Sequence, residues 1–91
     1  MRLDVRPSAE DAIVKLPDAE QAAALAALRA IPATFGRPHG HSGLGIRQLR
    51  PGVLEARVGL QLRAVFIREG DTLKVHLIGD HNDVRSYLRS L

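Results

Sequence analysis

Ninety-one residues, 45% of them hydrophobic, can fill one small core with little margin for a second, so a single domain over 1–91 is expected. With no cysteine, disulfides, thiolate metal sites and thiol nucleophiles are excluded. No apolar run reaches membrane-spanning length, and Met1-Arg-Leu-Asp-Val5 lacks the apolar stretch of a signal peptide. A soluble, cytoplasmic protein without a membrane partner is therefore expected. Residues 1–35 hold four basic and five acidic side chains, residues 36–91 nine and five, so the net +3 belongs to the C-terminal part. Eleven of the thirteen basic residues are arginine, whose planar fork suits phosphate or carboxylate. A polyanionic partner is one reading of that bias, and GC-rich coding the other.

Arg2 to Val5 reads as a short strand ahead of Pro7. Ser8 as N-cap, with Asp11 at N3, opens a short helix using Ala12, Ile13 and Leu16, and Pro17 closes it. Asp18 with Gln21 at N3 marks a second helix start, and Ala22 to Ile31 is nearly continuous alanine and leucine up to Pro32. Leu25, Leu28 and Ile31 are expected to face a sheet, making the two helices a lid over it. The segment Phe35 to Gly45 is a glycine-rich loop whose glycines lack the order and following helix of a nucleotide phosphate loop. Ile46 to Arg50 extends the sheet before a Pro51-Gly52 type II turn.

Three strands come next: Val53–Val58, Leu60–Ile67 and Thr72–Ile78, with Gly59 and Gly70-Asp71 as the turn signals. A two-residue Gly70-Asp71 loop places Glu69 opposite Thr72, Phe66 opposite Val75 and Val65 opposite His76. One face then collects Leu62, Ala64, Phe66, Leu73, Val75 and Leu77. At the first turn, a Gly59-Leu60 loop would set Arg57 against Leu62 and put charge in the core. A Val58-Gly59-Leu60 loop pairs Arg57 with Gln61 and Glu55 with Arg63, and is preferred because a one-residue slip turns every side chain over. The opposite, open face carries Glu55, Arg57, Gln61, Arg63, Lys74 and His76. Gly79-Asp80-His81 forms a turn, and Asn82 caps a last helix to Leu91 with Val84, Leu88 and Leu91 as its apolar stripe. The expected fold is α+β: a helical hairpin on an antiparallel meander with a short C-terminal helix.

His39, His41, His76 and His81 have no spacing typical of a zinc motif, so neither metal nor cofactor is expected. Ser42, Ser86 and Ser90 have no base that the sequence can place beside them. Arg57, Arg63 and His81 are the stronger group: gripping or cleaving a phosphodiester needs positive donors on its oxygens and a group that titrates near neutrality. The competing reading makes Glu55 and Arg63 a cross-strand ion pair on a solvated face, with His81 helping to cap the last helix.

The run Leu54-Glu-Ala-Arg-Val-Gly-Leu-Gln-Leu-Arg-Ala-Val-Phe66 followed by Val75-His-Leu-Ile-Gly-Asp-His-Asn-Asp-Val84 resembles the RelE/ParE superfamily of toxins from type II toxin–antitoxin pairs. It matches their basic strand, glycine turn, strand of arginine, aliphatic and aromatic residues, and glycine-x-basic opening of a terminal helix. The resemblance implies two N-terminal helices on an antiparallel sheet and a cognate antitoxin. For the RelE-like branch it implies metal-independent cleavage of ribosome-bound messenger RNA by a 2′-hydroxyl attacking the neighbouring phosphate. For the ParE-like branch it implies non-catalytic inhibition of DNA gyrase, and a degenerate member would be a protein-binding module. It casts Arg63 and Arg57 as phosphate stabilisers, His81 as general acid and Glu55 as general base, with Lys74, His76, Arg85 and Gln61 contacting RNA. Arg85 stands where many RelE-like members carry a tyrosine, and Tyr87 lies two residues later.

Overall fold

A computed structural model describes residues 1–34 and 45–91; the glycine-rich loop expected over 35–45, with His39, His41 and Ser42, lies almost wholly outside the described residues. The fold is α+β. Strand β1 (Arg2–Val5) leads into helices α1 (Pro7–Val14) and α2 (Asp18–Thr34). Strands β2 (Arg47–Arg50), β3 (Val53–Arg57), β4 (Arg63–Glu69) and β5 (Thr72–Gly79) come next, and helix α3 (His81–Arg89) ends the chain. The strands form one sheet in the order β1-β5-β4-β3-β2. Neighbours are antiparallel except β1, which runs parallel to β5, so the expected meander is the antiparallel part of a mixed sheet.

The helical hairpin covers one face. Ala9 and Ile13 of α1 and Ala24, Leu28 and Ile31 of α2 pack with Ala56, Val58, Ala64, Phe66, Leu73, Val75 and Ile78. Phe66, Leu28, Ile31, Leu73 and Val75 are among the largest fully buried side chains, each worth about 1.5–3 kcal/mol of transfer free energy. Leu25 and Leu62 pack at the margin of this core. The alternation of the strands and the helical spacing of Leu25, Leu28 and Ile31 thus produce the expected lid.

Four local expectations are corrected. Helix α1 begins at Pro7 with Arg6 as N-cap, because proline's fixed φ and missing N–H suit the first helical position. Ser8 instead donates its hydroxyl to the His76 carbonyl (3.1 Å), where β1 has stopped supplying partners to β5. Helix α2 runs through Pro32 to Thr34; a proline two residues from the end forfeits one hydrogen bond and leaves the last turn standing. The last helix is capped by Asp80 rather than Asn82. Asp80 accepts from the Asp83 N–H and Asp83 accepts from the Asp80 N–H, both at 2.9 Å, and two reciprocal bonds outweigh a lone asparagine cap. His81 is thus the first residue of α3 rather than part of a turn, and Leu91 is exposed, the stripe being Val84, Tyr87 and Leu88.

The register departs in two places. Between β3 and β4, Arg57 lies opposite Arg63 and Glu55 opposite Val65, with the turn spanning Val58 to Leu62 and closed by Val58 N–H to Leu62 O (3.0 Å). This is a two-residue shift from the expected pairing, so every side chain keeps its face. Between β4 and β5 the register holds from Glu69 opposite Thr72 to Phe66 opposite Val75, then shifts so that Val65 faces Leu77. His76 is the extra residue of a β-bulge, not the partner of Val65. Past it Ile78, not Leu77, enters the main core.

Leu77 joins a second, smaller core on the other face. There Val53 and Val65, with Leu49 and Ile67, pack against Val84, Tyr87 and Leu88 of α3. The face expected to be open and polar is therefore roofed by α3 over part of its area.

Candidate functional site

The uncovered end of the α3 face is built from one row of the sheet. Arg57 on β3, Arg63 on β4 and Gly79 on β5 are successive cross-strand partners, and Gly79 leads directly into the Asp80 cap and His81. Arg57 is exposed and Arg63 half-buried. Like charges directly opposite on neighbouring strands repel, and among the described residues no carboxylate pairs with either arginine. Gly79 is buried, and a Cβ on it would meet the Asp83 side chain at 2.6 Å. Its lack of a side chain is what lets the first turn of α3 close onto the sheet beside the arginines. The Asp80 carboxyl is held below its usual range, chiefly by the hydrogen bond from the Asp83 N–H. His81 is exposed at the first position of the helix.

Glu55 occupies the next row on the same face and is only 3% exposed. Its expected ion pair with Arg63 is not formed. Its Oε1 accepts from Arg47 Nε of β2 at 3.0 Å, and its Oε2 is buried without a hydrogen-bond partner among the described residues. The Arg47 side chain is 62% exposed. A simple two-residue Pro51-Gly52 hairpin would set Gln48 opposite Glu55. The irregularity between Gln48 and Arg50 makes Leu49 an extra residue and brings Arg47 there instead. Arg47 is thus a site residue that sequence reasoning missed, and no local signal announces that bulge.

The remaining candidates are dispersed. Gln61 is exposed in the β3–β4 turn beyond Arg57 and Arg63. Lys74 lies towards the other end of β5, where its Nζ is 2.6 Å from Glu69 Oε2. That bond, with the lysine's charge, holds the Glu69 carboxyl below its usual range. His76, on its bulge, is half-buried beside the Tyr87 ring, with centroids 6.4 Å apart and planes at 42°. Arg85 is exposed on α3. The structure therefore brings Arg57, Arg63 and the start of α3 together with the Arg47–Glu55 pair, and leaves Lys74, His76 and Arg85 outside that group. No three His, Asp or Glu side chains gather into a metal-binding set among the described residues. None of the described helices is long and apolar enough to cross a membrane.

No protein-family model matches the sequence, and no curated protein matches it. Among solved structures, a copper-bound mutant toxin from Helicobacter pylori is similar, with a TM-score of 0.59 and 14% identity over 92% of this chain and 98% of that one. At that identity the likeness is one of fold, and it extends over nearly the whole of both chains.

Proposed function

We propose that this protein is the toxin of a toxin–antitoxin pair, of the RelE-like kind, and that it cleaves ribosome-bound messenger RNA at a phosphodiester gripped by Arg57 and Arg63. The observation that carries the reading is the direct opposition of these two arginines, with no carboxylate paired to either among the described residues. A bound phosphate would turn their mutual repulsion into a shared attraction. The similarity in fold to a Helicobacter pylori toxin supports the toxin part of the reading and a cognate antitoxin as partner.

In this account the ribose 2′-oxygen attacks the adjacent phosphorus, a cyclic phosphate forms, and the bond to the 5′-oxygen breaks. Arg57 and Arg63 hold the non-bridging oxygens as their charge grows, an interaction stronger in the transition state than in the ground state. His81, exposed where the arginine row meets α3, protonates the departing 5′-oxygen. Glu55 takes no proton here, because one carboxylate oxygen is held by Arg47 and the other is buried. The 2′-proton passes to water. The step uses no metal ion and no cofactor.

Primer-extension mapping of messenger cleavage on translating ribosomes tests this. His81→Ala should cut cleavage by roughly 10²- to 10⁴-fold, the usual span for a positioned proton donor, with ribosome binding little changed. Arg63→Ala should damage both binding and cleavage. Unaltered cleavage by His81→Ala would remove the histidine from the mechanism. Absence of cleavage by the wild type, with DNA gyrase inhibited instead, would assign the chain to the ParE-like branch; neither activity, with binding to the antitoxin retained, would make it a protein-binding module.

A further inference from the structure

Glu55 poses a problem that the proposed chemistry does not use. A glutamate carboxylate buried in a residue only 3% exposed is costly unless its oxygens are satisfied, yet among the described residues one of them has no partner, and the other is held by an arginine of an edge strand. The geometry around it suggests what that arrangement accomplishes. Arg47 lies opposite Glu55 across β2–β3, Arg57 two residues along β3 on the same face, and Arg63 diagonally across on β4. Glu55 is thus the buried centre of three arginines, and among the described residues only Arg47 is paired with it.

The contact is made through Arg47 Nε. Neither terminal amino group of that guanidinium takes part in an ion pair among the described residues, and the side chain is 62% exposed. A long, flexible arginine on an exposed edge strand loses much of its rotamer freedom when it grips a ligand. Anchoring it beforehand by Nε removes part of that cost.

We infer that Arg47 is a third anion-binding residue, pre-positioned by the buried Glu55 carboxylate, and that it holds a phosphate neighbouring the one gripped by Arg57 and Arg63. The ligand is a single-stranded polynucleotide crossing β2 to β4. The two strand spacings between Arg47 and Arg63, roughly 10 Å, are wide for one phosphate and suit two in succession. The inference rests on the proposed RNA reading and extends it from one phosphate to a short track. Glu55 is a positioning residue here, because it acts through Arg47.

The sign of its effect separates this from simple electrostatics. A negative charge beside a polyanion should weaken binding, so its removal should strengthen it. If Glu55 serves to hold Arg47, removal should weaken binding instead. The probe is a 2′-O-methyl RNA oligonucleotide, which cannot be cleaved, titrated at several salt concentrations against wild type, Arg47→Ala, Glu55→Gln and the double variant, with the thermal midpoint of each recorded. Arg47→Ala should weaken binding by about tenfold, the worth of one charge-assisted contact, and lower the slope of log K against log salt by roughly 0.7, one phosphate contact on a single strand. Glu55→Gln should also weaken binding. In the Arg47→Ala background the same Glu55→Gln change should tighten it, since only the repulsion is then left to remove.

Tighter binding by Glu55→Gln alone, or an unchanged slope in Arg47→Ala, would overturn the inference. Should Glu55→Gln not fold, the slope of Arg47→Ala decides, read well below that variant's own thermal midpoint, since the Glu55 carboxylate left unpaired lowers its stability. Binding that is lost in Arg63→Ala but indifferent to Arg47→Ala would overturn the track and leave the proposed function standing. No binding by the wild type would remove both.

Discussion

The two faces of the sheet are built on different principles. Beneath the helical hairpin, β3, β4 and β5 present Ala56, Ala64, Phe66, Leu73 and Val75 to α1 and α2, and the face is apolar throughout its centre. Beneath α3 the same strands present Val53 and Val65, packed with Val84 of that helix, and then, one row on, Arg57 facing Arg63. The first face is what burial alone would select. The second holds a like-charge pair and a buried carboxylate of which one oxygen has no hydrogen-bond partner among the described residues, and both cost stability. Features that weaken the fold and gather in one place are what the proposed phosphate site would require.

Substitutions on the two faces should therefore do unequal damage. Phe66→Ala empties the centre of the hairpin core and should cost about 3–5 kcal/mol, a large share of the stability of so small a domain. Val84→Ala, in the smaller core, should cost about 1–3 kcal/mol and loosen α3 ahead of the rest. Hydrogen exchange resolved along the chain would show this as early loss of protection in 81–89 with β4 and β5 still protected. Uniform loss in both variants would mean that the two cores melt as one.

Gly79→Ala is expected to cost about 1–3 kcal/mol, since the added Cβ would lie 2.6 Å from the Asp83 side chain and must push the capping box off the sheet. Because this tilts the helix that carries His81, cleavage should fall further than stability alone explains. Denaturant midpoints and cleavage rates measured side by side below the unfolding transition would separate the two effects.

Much of the hairpin face was legible in the sequence because alternation and turn chemistry agree there. Gly70 takes the positive φ that the tight turn requires, and the register counts back from it correctly as far as Phe66 opposite Val75. The reading failed at the bulges. An extra residue at His76 or Leu49 has no compositional mark, yet each one re-aims its neighbours along the strand: Leu77 changes core, and Arg47 comes to Glu55. The second core was legible but overlooked. Val65 and Ile67 share parity with Arg63, and Val53 with Glu55, so a face read from its charges alone was already half apolar. Arg57 and Arg63 were placed on the correct face even with the register two residues out. Their direct opposition, however, depends on the length of the Val58–Leu62 turn, which Gly59 alone does not specify.

If the Arg57–Arg63 row is organised for a ligand at the expense of the fold, Arg57→Ala should show both effects in one sample. Its unfolding free energy at low salt should be unchanged or slightly raised, by about 0.2–1 kcal/mol as the like-charge opposition is relieved, while cleavage of ribosome-bound messenger RNA falls by roughly tenfold or more, the worth of one charge-assisted contact. A fall in stability with cleavage preserved would contradict the account, because it would make Arg57 a structural residue on a face without a phosphate.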